Sequence, residues 1–249
     1  MRAFSIALAS LLACTALNAS ADRLFGIYAG LGSWNQEVTG EFSSVGQAID
    51  LQDDLGLQDN RGNVMYFALE HFVPFVPNFR VQKIDIAING DGILSREIEF
   101  NGTTFAINEP LVTDIRVDQI DGLLYWQLLD NVVSLDLGVA ARYMDGSIDV
   151  VSTLQSESVE FKGALPMLYG RARIDLPLTG AWVAAELQGL GYGGNKILDM
   201  TAQIGWESKW GLGVEAGWRS LDIDLDAYDD IDSASLEISG PYAAINYHF

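Results

Sequence analysis

Few residues of this chain are of the types that carry out catalytic chemistry. Its 249 residues include two histidines, His71 and His248, and a single cysteine, Cys14. The sequence has no H-E-x-x-H pair, which would place two zinc-binding imidazoles on one helix face, and no G-x-S-x-G turn to present a nucleophilic serine. The sequence therefore predicts no catalytic residue and no metal centre built on histidine or cysteine.

One glycine motif has the spacing of a dinucleotide-binding loop. Gly189, Gly191 and Gly194 satisfy G-x-G-x-x-G. Such a loop works only where a strand leads into a helix N-terminus, and no helical period follows these glycines. We interpret them as residues that permit close strand packing and a tight turn, and we predict no cofactor.

Carboxylates are the most abundant groups able to bind a ligand. Six aspartates fall within residues 222–232, and a second acidic stretch contains Asp50, Asp53, Asp54 and Asp59. The first group begins like a calcium loop, but Ala227 and Ser233 occupy the positions where that loop requires Gly and Glu. Leu221, Ile223 and Leu225 alternate with the aspartates, which favours a strand. We expect at most weak divalent-cation binding at these acidic loops.

Overall charge excludes one class of partner. The chain has 14 Lys and Arg against 34 Asp and Glu, for a formal net charge of -20. Phosphate backbones are bound by clustered cations, so nucleic acid is not an expected partner.

The N-terminus has the features of an export signal. Arg2 precedes the apolar stretch 3–13, and Ala19-Ser20-Ala21 provides a small-x-small cleavage site. We predict a signal peptide over 1–21 and a single mature domain over 22–249 that begins at Asp22. An alternative is lipidation at Cys14, because residues 11–14 resemble a lipoprotein box.

The rest of the chain repeats an alternation of period two, which predicts strands. From Val133 to Tyr143, apolar residues alternate with small or polar ones, a separation that a helix would not produce. Such runs predict an all-β fold of about ten strands, with eight or twelve as alternatives. They lie near 24–34, 63–73, 79–89, 112–128, 132–146, 160–175, 181–192, 196–207, 211–224 and 235–249.

Connection lengths and aromatic positions predict where this sheet resides. Tight turns alternate with longer acidic connections such as 35–62, 90–111, 147–159 and 225–234. That arrangement is typical of a closed antiparallel transmembrane β-barrel with short periplasmic turns and long extracellular loops. A soluble sandwich or lipocalin-like barrel would instead carry many Lys and Arg on its polar face. Aromatic residues also gather at strand ends, as interfacial girdles require: Tyr28, Trp34, Trp126, Tyr143, Trp182, Trp206, Trp210, Trp218, Tyr247 and Phe249.

The same alternation predicts which polar residues face the barrel interior. If Leu135, Val183 and Val214 face lipid, their polar neighbours point inward and should pair with one another, because unpaired charge in a narrow lumen is costly. We predict a polar layer in the lumen formed by Glu70, Tyr125, Asp136, Arg142, Arg171, Arg173, Glu186, Gln203, Glu215 and Arg219.

Several segments resemble a known family. Residues 240–249 end in Phe249 and resemble the terminal signature of outer-membrane proteins, which implies recognition by the barrel-assembly machinery. The chain also resembles a family of small outer-membrane barrels named for species with the GlyGly-CTERM sorting system, OmpW-like in general character. The segments that carry this resemblance are 49–57, 73–79, 124–131, 135–138, 165–180 and 215–219. It implies fold and location and no particular activity.

These observations predict an integral protein of a Gram-negative outer membrane, in contact with its lipid and lipopolysaccharide. We expect a structural or surface-interaction role with a lumen largely filled by side chains. A narrow pore for a small solute is the alternative. An outer-membrane enzyme is third, because the outer-membrane proteases and lipid A deacylases place histidine at the extracellular rim or in the outer leaflet, and His71 and His248 both fall near predicted periplasmic ends.

Overall fold

The structure is a computed structural model that describes residues 25–44, 47–73, 75–228 and 231–249. The predicted signal peptide, the cleavage site before Asp22 and the alternative lipidation at Cys14 lie outside the described residues, as do Asp229 and Asp230. No helix within the described ranges is long and apolar enough to cross a membrane.

Ten long strands form one antiparallel sheet, as the period-two alternation predicts. They are β1 (Phe25–Ser44), β4 (Asn60–His71), β5 (Asn78–Ile93), β8 (Pro110–Asp130), β9 (Val133–Ser152), β10 (Ser156–Asp175), β11 (Ala181–Tyr192), β12 (Asn195–Glu207), β13 (Leu212–Tyr228) and β14 (Ile231–His248). Four short strands lie between them: β2 (Gln47–Asp50), β3 (Leu57–Gln58), β6 (Ile98–Phe100) and β7 (Thr103–Phe105).

The sheet closes on itself because its first and last strands pair. β1 pairs with β14 from Tyr28 opposite His248 to Ser44 opposite Ile231, and β1 pairs with β4 on its other side. The backbone N–H of Phe249 donates to the carbonyl of Ile27 at 2.9 Å, which extends the closure to the last residue. The fold is therefore a closed ten-stranded antiparallel barrel.

The two ends of the barrel differ. At one end, which we call the short-turn end, strands are joined by tight turns such as 176–180 and 208–211. At the other, the long-loop end, two expected loops are mostly strand: β9 and β10 are separated by residues 153–155 alone, and β13 continues to Tyr228. β11 and β12 meet there in a tight turn at Gly193 and Gly194, both with positive φ.

The two long connections at this end fold into a cap. Asn101 and Gly102, with φ of 46° and 77°, form the turn of the β6–β7 hairpin. Gly56 has φ of +63°, and a Cβ there would lie 2.6 Å from the Asp91 carbonyl oxygen, so the first connection lies directly against β5. Buried apolar side chains of both connections pack into one core with the upper strands: Ile49, Leu51, Leu55, Leu57, Leu94, Ile98, Phe100 and Phe105.

The outer surface has an apolar belt, which begins at the short-turn end. On β9 the outward side chains from Val133 to Tyr143 are apolar, and ten steps of about 3.3 Å at a tilt near 45° span roughly 23 Å. That height matches the apolar band of about 25 Å seen in transmembrane barrels. The belt includes Leu31, Met65, Phe67, Phe79, Leu124, Trp126, Leu137, Val139, Leu168, Val183, Leu187, Ile204, Val214, Trp218 and Ile245, all of which are exposed.

A charged band follows directly above the belt. On four adjacent strands the next outward residues are Lys83, Asp85, Arg116, Asp118, Asp145, Glu160 and Lys162, which border a shallow groove of about 350 Å³. Lys83 Nζ lies 2.8 Å from Asp85 and 2.9 Å from Asp118, and Lys162 Nζ lies 3.1 Å from Asp145. Polar atoms therefore mark the level at which the strands leave the hydrocarbon.

Candidate functional site

The structure places all ten residues of the predicted lumen layer on inward faces of their strands. They do not form a single layer, however. Arg142 and Arg219 belong to an upper cluster, and Glu186 and Arg171 to a lower one. Three aromatic residues expected in the girdles also point inward: Trp34 and Trp182 are buried, and Tyr28 stacks on His248 with ring centroids 4.0 Å apart.

The upper cluster joins opposite walls of the barrel. Arg142 on β9 donates from Nε to Asp121 Oδ1 at 2.8 Å and from Nη2 to Asp121 Oδ2 at 2.9 Å. The same Nη2 lies 2.6 Å from Asp199 Oδ2 on β12, three strands away. Arg219 on β13 donates to Asp199 Oδ1 at 2.9 Å. Two guanidinium groups thus neutralise two carboxylates.

This cluster is dry. The side chains of Arg142 and Asp121 are 0% exposed and that of Asp199 is 3% exposed. Gln119 Nε2 donates to Asp121 Oδ2 at 3.0 Å, and the Arg219 guanidinium lies 5.1 Å from the Trp34 ring centroid. Charges removed from water require partners of this geometry, since an unpaired ion at this depth would cost several kcal/mol. The four ionic groups therefore behave as one interdependent unit.

The lower cluster is a second bridge across the lumen, nearer the short-turn end. Arg80 on β5 lies 2.8 Å from Glu186 Oε2 on β11, and the Arg80 guanidinium also lies 4.9 Å from the Tyr66 ring centroid. Arg171 reaches the same Glu186 oxygen only at 4.0 Å. The Arg80 and Arg171 side chains are 16% and 20% exposed, so this level is wetter than the upper one.

The other predicted lumen residues contact partners on the same strand or on nearby strands, and these contacts do not cross the lumen. Tyr125 donates its hydroxyl to Glu70 Oε1 at 2.7 Å, and Asn246 donates to Glu215 Oε2 at 3.2 Å. Tyr242 donates its hydroxyl to the side-chain oxygen of Gln203. Arg173 pairs at 2.6 Å with Asp175 on its own strand, close to the short-turn mouth.

Asp136 and Arg171, both predicted to lie in the polar layer, do not pair with each other. The two residues are directly opposite in the β9–β10 register, but neither Asp136 Oδ1 nor Arg171 Nε has a hydrogen-bond partner. Gln188 Oε1 is similarly buried and unpaired. Arg142, rather than Arg171, is therefore the cation that closes the centre of the barrel.

Sequence reasoning missed three members of the two bridges, namely Arg80, Asp121 and Asp199. No residue was selected on β5, the strand that carries Arg80. Asp121 and Asp199 share the inward parity of residues that were selected on their strands, since each is four residues from one of them, Tyr125 and Gln203 respectively. Parity alone was a sufficient signal for these. The inward or outward alternation does not give the relative heights of side chains on strands that are far apart around the barrel, so it cannot show which of these side chains meet.

The histidines and acidic stretches take structural positions. His71 Nε2 lies 3.2 Å from the Pro77 carbonyl oxygen, and His248 Nδ1 lies 3.2 Å from Glu207, both at the short-turn end. Asp50 Oδ1 accepts from the backbone N–H groups of Gln52 and Asp53. Within the part of the chain that the structure describes, no three His, Cys, Asp or Glu side chains converge as a metal site.

Comparisons with known proteins assign no family to the chain. No protein-family model and no curated protein matches the chain. Among solved structures, the chain is similar to Ail, the attachment invasion locus protein of Yersinia pestis, in complex with the heparin analogue sucrose octasulfate: 11% identity, 91% of this chain and 100% of that chain covered, TM-score 0.40. It is also similar to the transport unit of the autotransporter AIDA-I from Escherichia coli: 13% identity, 97% of each chain covered, TM-score 0.40.

A third similar structure is the Pseudomonas putida toluene transporter TodX, at 10% identity with 94% of this chain and 91% of that chain covered and a TM-score of 0.35. At these identities and TM-scores neither a family nor a role follows from the similarity. The described residues themselves define the class: a transmembrane β-barrel whose lumen is crossed by two ionic bridges.

Proposed function

We propose that the protein is an integral outer-membrane barrel of a Gram-negative bacterium that does not conduct and that acts through its outer surface. The observation that carries this proposal is the dry cluster of Arg142, Asp121, Asp199 and Arg219 at the centre of the lumen. An ion or a solute would have to separate these charges in order to pass.

A second barrier lies above the first. The core of the cap continues downward through buried apolar side chains of the barrel wall, among them Ile84, Ile88 and Leu221. Water and ions are poorly accommodated in such a region because apolar walls offer no hydrogen bonds. The closed lumen supports a structural or surface-interaction role over the alternative of a narrow pore.

The location is supported by the exterior. An apolar belt of bilayer height followed by a charged band fits a membrane-spanning barrel, in which the long-loop end faces outward and the short turns face the periplasm. In that position the belt contacts lipid. Lys83, Arg116 and Lys162 of the band would lie at the level of lipopolysaccharide phosphates, with divalent ions able to bridge to the neighbouring carboxylates.

Assembly and family membership belong to the same proposal. Phe249 completes the strand that closes the barrel, in keeping with a C-terminal strand read by the barrel-assembly machinery. The sequence segments that resemble the GlyGly-CTERM-associated family of small barrels, together with their order along the chain, support membership of that family. Fractionation tests the location: the protein is expected in the outer membrane, and recovery from the soluble periplasm would overturn it.

Conductance in planar bilayers tests the closed lumen. The refolded wild-type protein is expected to give no steady current. A double variant that removes both bridging cations, Arg80→Ala with Arg142→Ala, is expected to show brief conducting events, because the apolar core above the bridges remains in place. Arg116→Ala, on the exposed outer face, is the matched control and should remain silent. A large and stable wild-type current would establish the pore alternative instead.

A further inference from the structure

An exposed apolar surface reappears above the charged band, at the tip of the long-loop end. Outward residues of β8 run from apolar Ile120 through charged Asp118, Arg116 and Asp114 to apolar Val112. Outward residues of β9 likewise pass from Tyr143 through Asp145 and Asp149 to Val151. The charged band separates this second apolar surface from the belt, so bilayer hydrocarbon does not cover it.

The members of this surface adjoin one another; we call them the tip patch. Val112 and Val151 are direct cross-strand partners on the same outward face. Asp91 is opposite Val112 on the other side, which places Ile93 diagonally beside it. Leu154, in the turn after β9, and Ile107, in the connection before β8, complete the tip patch at the same end of the barrel. The five side chains are all exposed, from 45% for Val151 to 81% for Leu154.

The tip patch is not a fringe of the interior core. At the same height the inward neighbours Leu111 and Val150 are buried in the cap, at 1% and 0% exposure. At this height the inward side chains therefore form the core, and the outward side chains are exposed to solvent. A contiguous group of exposed aliphatic residues that does not contribute to the core of the fold commonly marks an interaction surface.

Charge at its border restricts what the tip patch can bind. Asp91, Asp114 and Asp149 flank it, and the chain as a whole carries a formal net charge of -20. A second copy of this chain would bring the same carboxylates to the contact and be repelled. A partner that complements this surface has aliphatic or aromatic side chains at its centre and lysine or arginine around them.

We propose that the tip patch is a docking surface for a basic, amphipathic polypeptide segment of another protein. The proposal rests on the function proposed above, because it requires this end of the barrel to lie outside the bilayer. Its apolar centre supplies affinity through removal of hydrocarbon surface from water, and its acidic border supplies selectivity for positive charge.

A defined probe tests it. The full-length barrel in nanodiscs of zwitterionic lipid is titrated with a 14-residue Leu/Lys peptide that carries a photo-crosslinker, with empty nanodiscs as the blank. Saturable binding in excess of the blank is expected, with crosslinks at residues 91–93, 107–114 and 149–154. Two control peptides of equal length, a Leu/Glu peptide and a Ser/Lys peptide, should not show saturable binding. The first lacks positive charge and the second lacks an apolar face.

Variants assign the binding to the tip patch. The double variant Val112→Ser, Leu154→Ser should bind the Leu/Lys peptide about tenfold more weakly or worse. The double variant Asp91→Asn, Asp149→Asn should also bind it more weakly, and its affinity should depend less on salt concentration. Leu178→Ser, a fully exposed leucine at the short-turn end, and Asp226→Asn, an outward carboxylate on β13, are the matched controls and should bind as the wild type does.

Three results would overturn the proposal: binding equal to that of empty nanodiscs, which would identify lipid as the site; equal binding of the Leu/Glu peptide; or crosslinks that persist in the Val112→Ser, Leu154→Ser variant. A wild-type current in planar bilayers would refute the closed lumen and leave this result unaffected, so the two proposals fail separately.

Discussion

Arg142 binds carboxylates from two walls of the barrel, and neither carboxylate is exposed to solvent. Arg142→Met keeps an unbranched stem but leaves Asp121 as a buried charge without a cation, and it leaves Asp199 with Arg219 as its one cationic partner in the cluster. Breaking one partner of a buried pair typically costs about 3–5 kcal/mol. We therefore expect a markedly lower unfolding temperature, measured by the loss of the folded, faster-migrating form on an unboiled gel.

Two comparisons separate this effect from a general sensitivity of the barrel. Arg116→Met removes an exposed cation paired with Asp114 and should cost under about 1 kcal/mol. Arg142→Met combined with Asp121→Asn removes the unpaired carboxylate, leaves the Arg219–Asp199 pair in place and should recover part of the lost stability. An Arg142→Met protein as stable as the wild type would refute the role assigned to this cluster.

The cap contains an ion pair that makes its closure depend on pH. Arg96 Nε donates to Asp54 Oδ1 at 3.1 Å, and Nη2 donates to the other carboxylate oxygen and to the Ala48 carbonyl. These hydrogen bonds from Arg96 hold the pKa of Asp54 below its ordinary value. A carboxyl whose pKa is depressed by folding contributes stability that is present above its unfolded pKa and is lost as pH falls through the folded one.

We therefore expect the cap to loosen below about pH 4, near the ordinary aspartate pKa. A nitroxide attached at exposed Gln52 should report slow motion at pH 7 and faster motion at acid pH. In Asp54→Asn the motion should already be faster at pH 7 and should lose most of its pH dependence. An unchanged spectrum for this variant would show that the apolar core alone holds the cap.

The ten long strands could be predicted from sequence because one face of each contacts lipid and the other lines the lumen. Their upper limits could not be predicted in the same way. Above the belt the outward face becomes polar, as on β13 at Asp222, Asp224 and Asp226, and a polar stretch looks like a loop. The inward residues Leu221, Ile223 and Leu225 were the remaining sign that the strand continues.

The short strands of the cap were outside the reach of a periodicity argument. β6 and β7 have three residues each, and β3 has two. Their position depends on packing against Leu111 and Val150 from distant strands, which no local pattern encodes. Lumen partners were missed for a related reason: Arg142 and Asp199 are 57 residues apart and meet only because the sheet closes.

Strand faces are testable with single cysteines. Val139 is outward and 48% exposed, and its neighbour Ala140 is inward and 5% exposed. Cysteine at 139 should react with a bilayer-soluble maleimide, and cysteine at 140 should not. This pair is preferable to Leu137 and Gly138, because a Cβ at 138 would lie 2.2 Å from the Leu124 carbonyl oxygen. Equal labelling at 139 and 140 would contradict the assigned register.

Different levels along the barrel axis have different roles. In the proposed function, the belt anchors the barrel, the two ionic bridges and the cap close it, and the strands extend beyond the bilayer to present the tip patch. β9 has 20 residues, whereas about 9–11 suffice to cross a bilayer at the usual tilt. Roughly half of this strand therefore serves what lies above the membrane.

Depth in the bilayer can be tested along one face of that strand. Leu137 is outward near the middle of the belt, and Ser147 is outward at the level of Glu160 and Arg116. Leu137→Arg should cost about 2–4 kcal/mol, because a guanidinium near the midplane must be dehydrated or drawn to the interface, and Ser147→Arg should cost about 0–1 kcal/mol. Reversible unfolding of the barrel in lipid vesicles, followed by tryptophan fluorescence in guanidinium chloride, gives both values. Equal costs would mean that the two positions lie in the same environment, and the bilayer would then have to be placed elsewhere on the barrel.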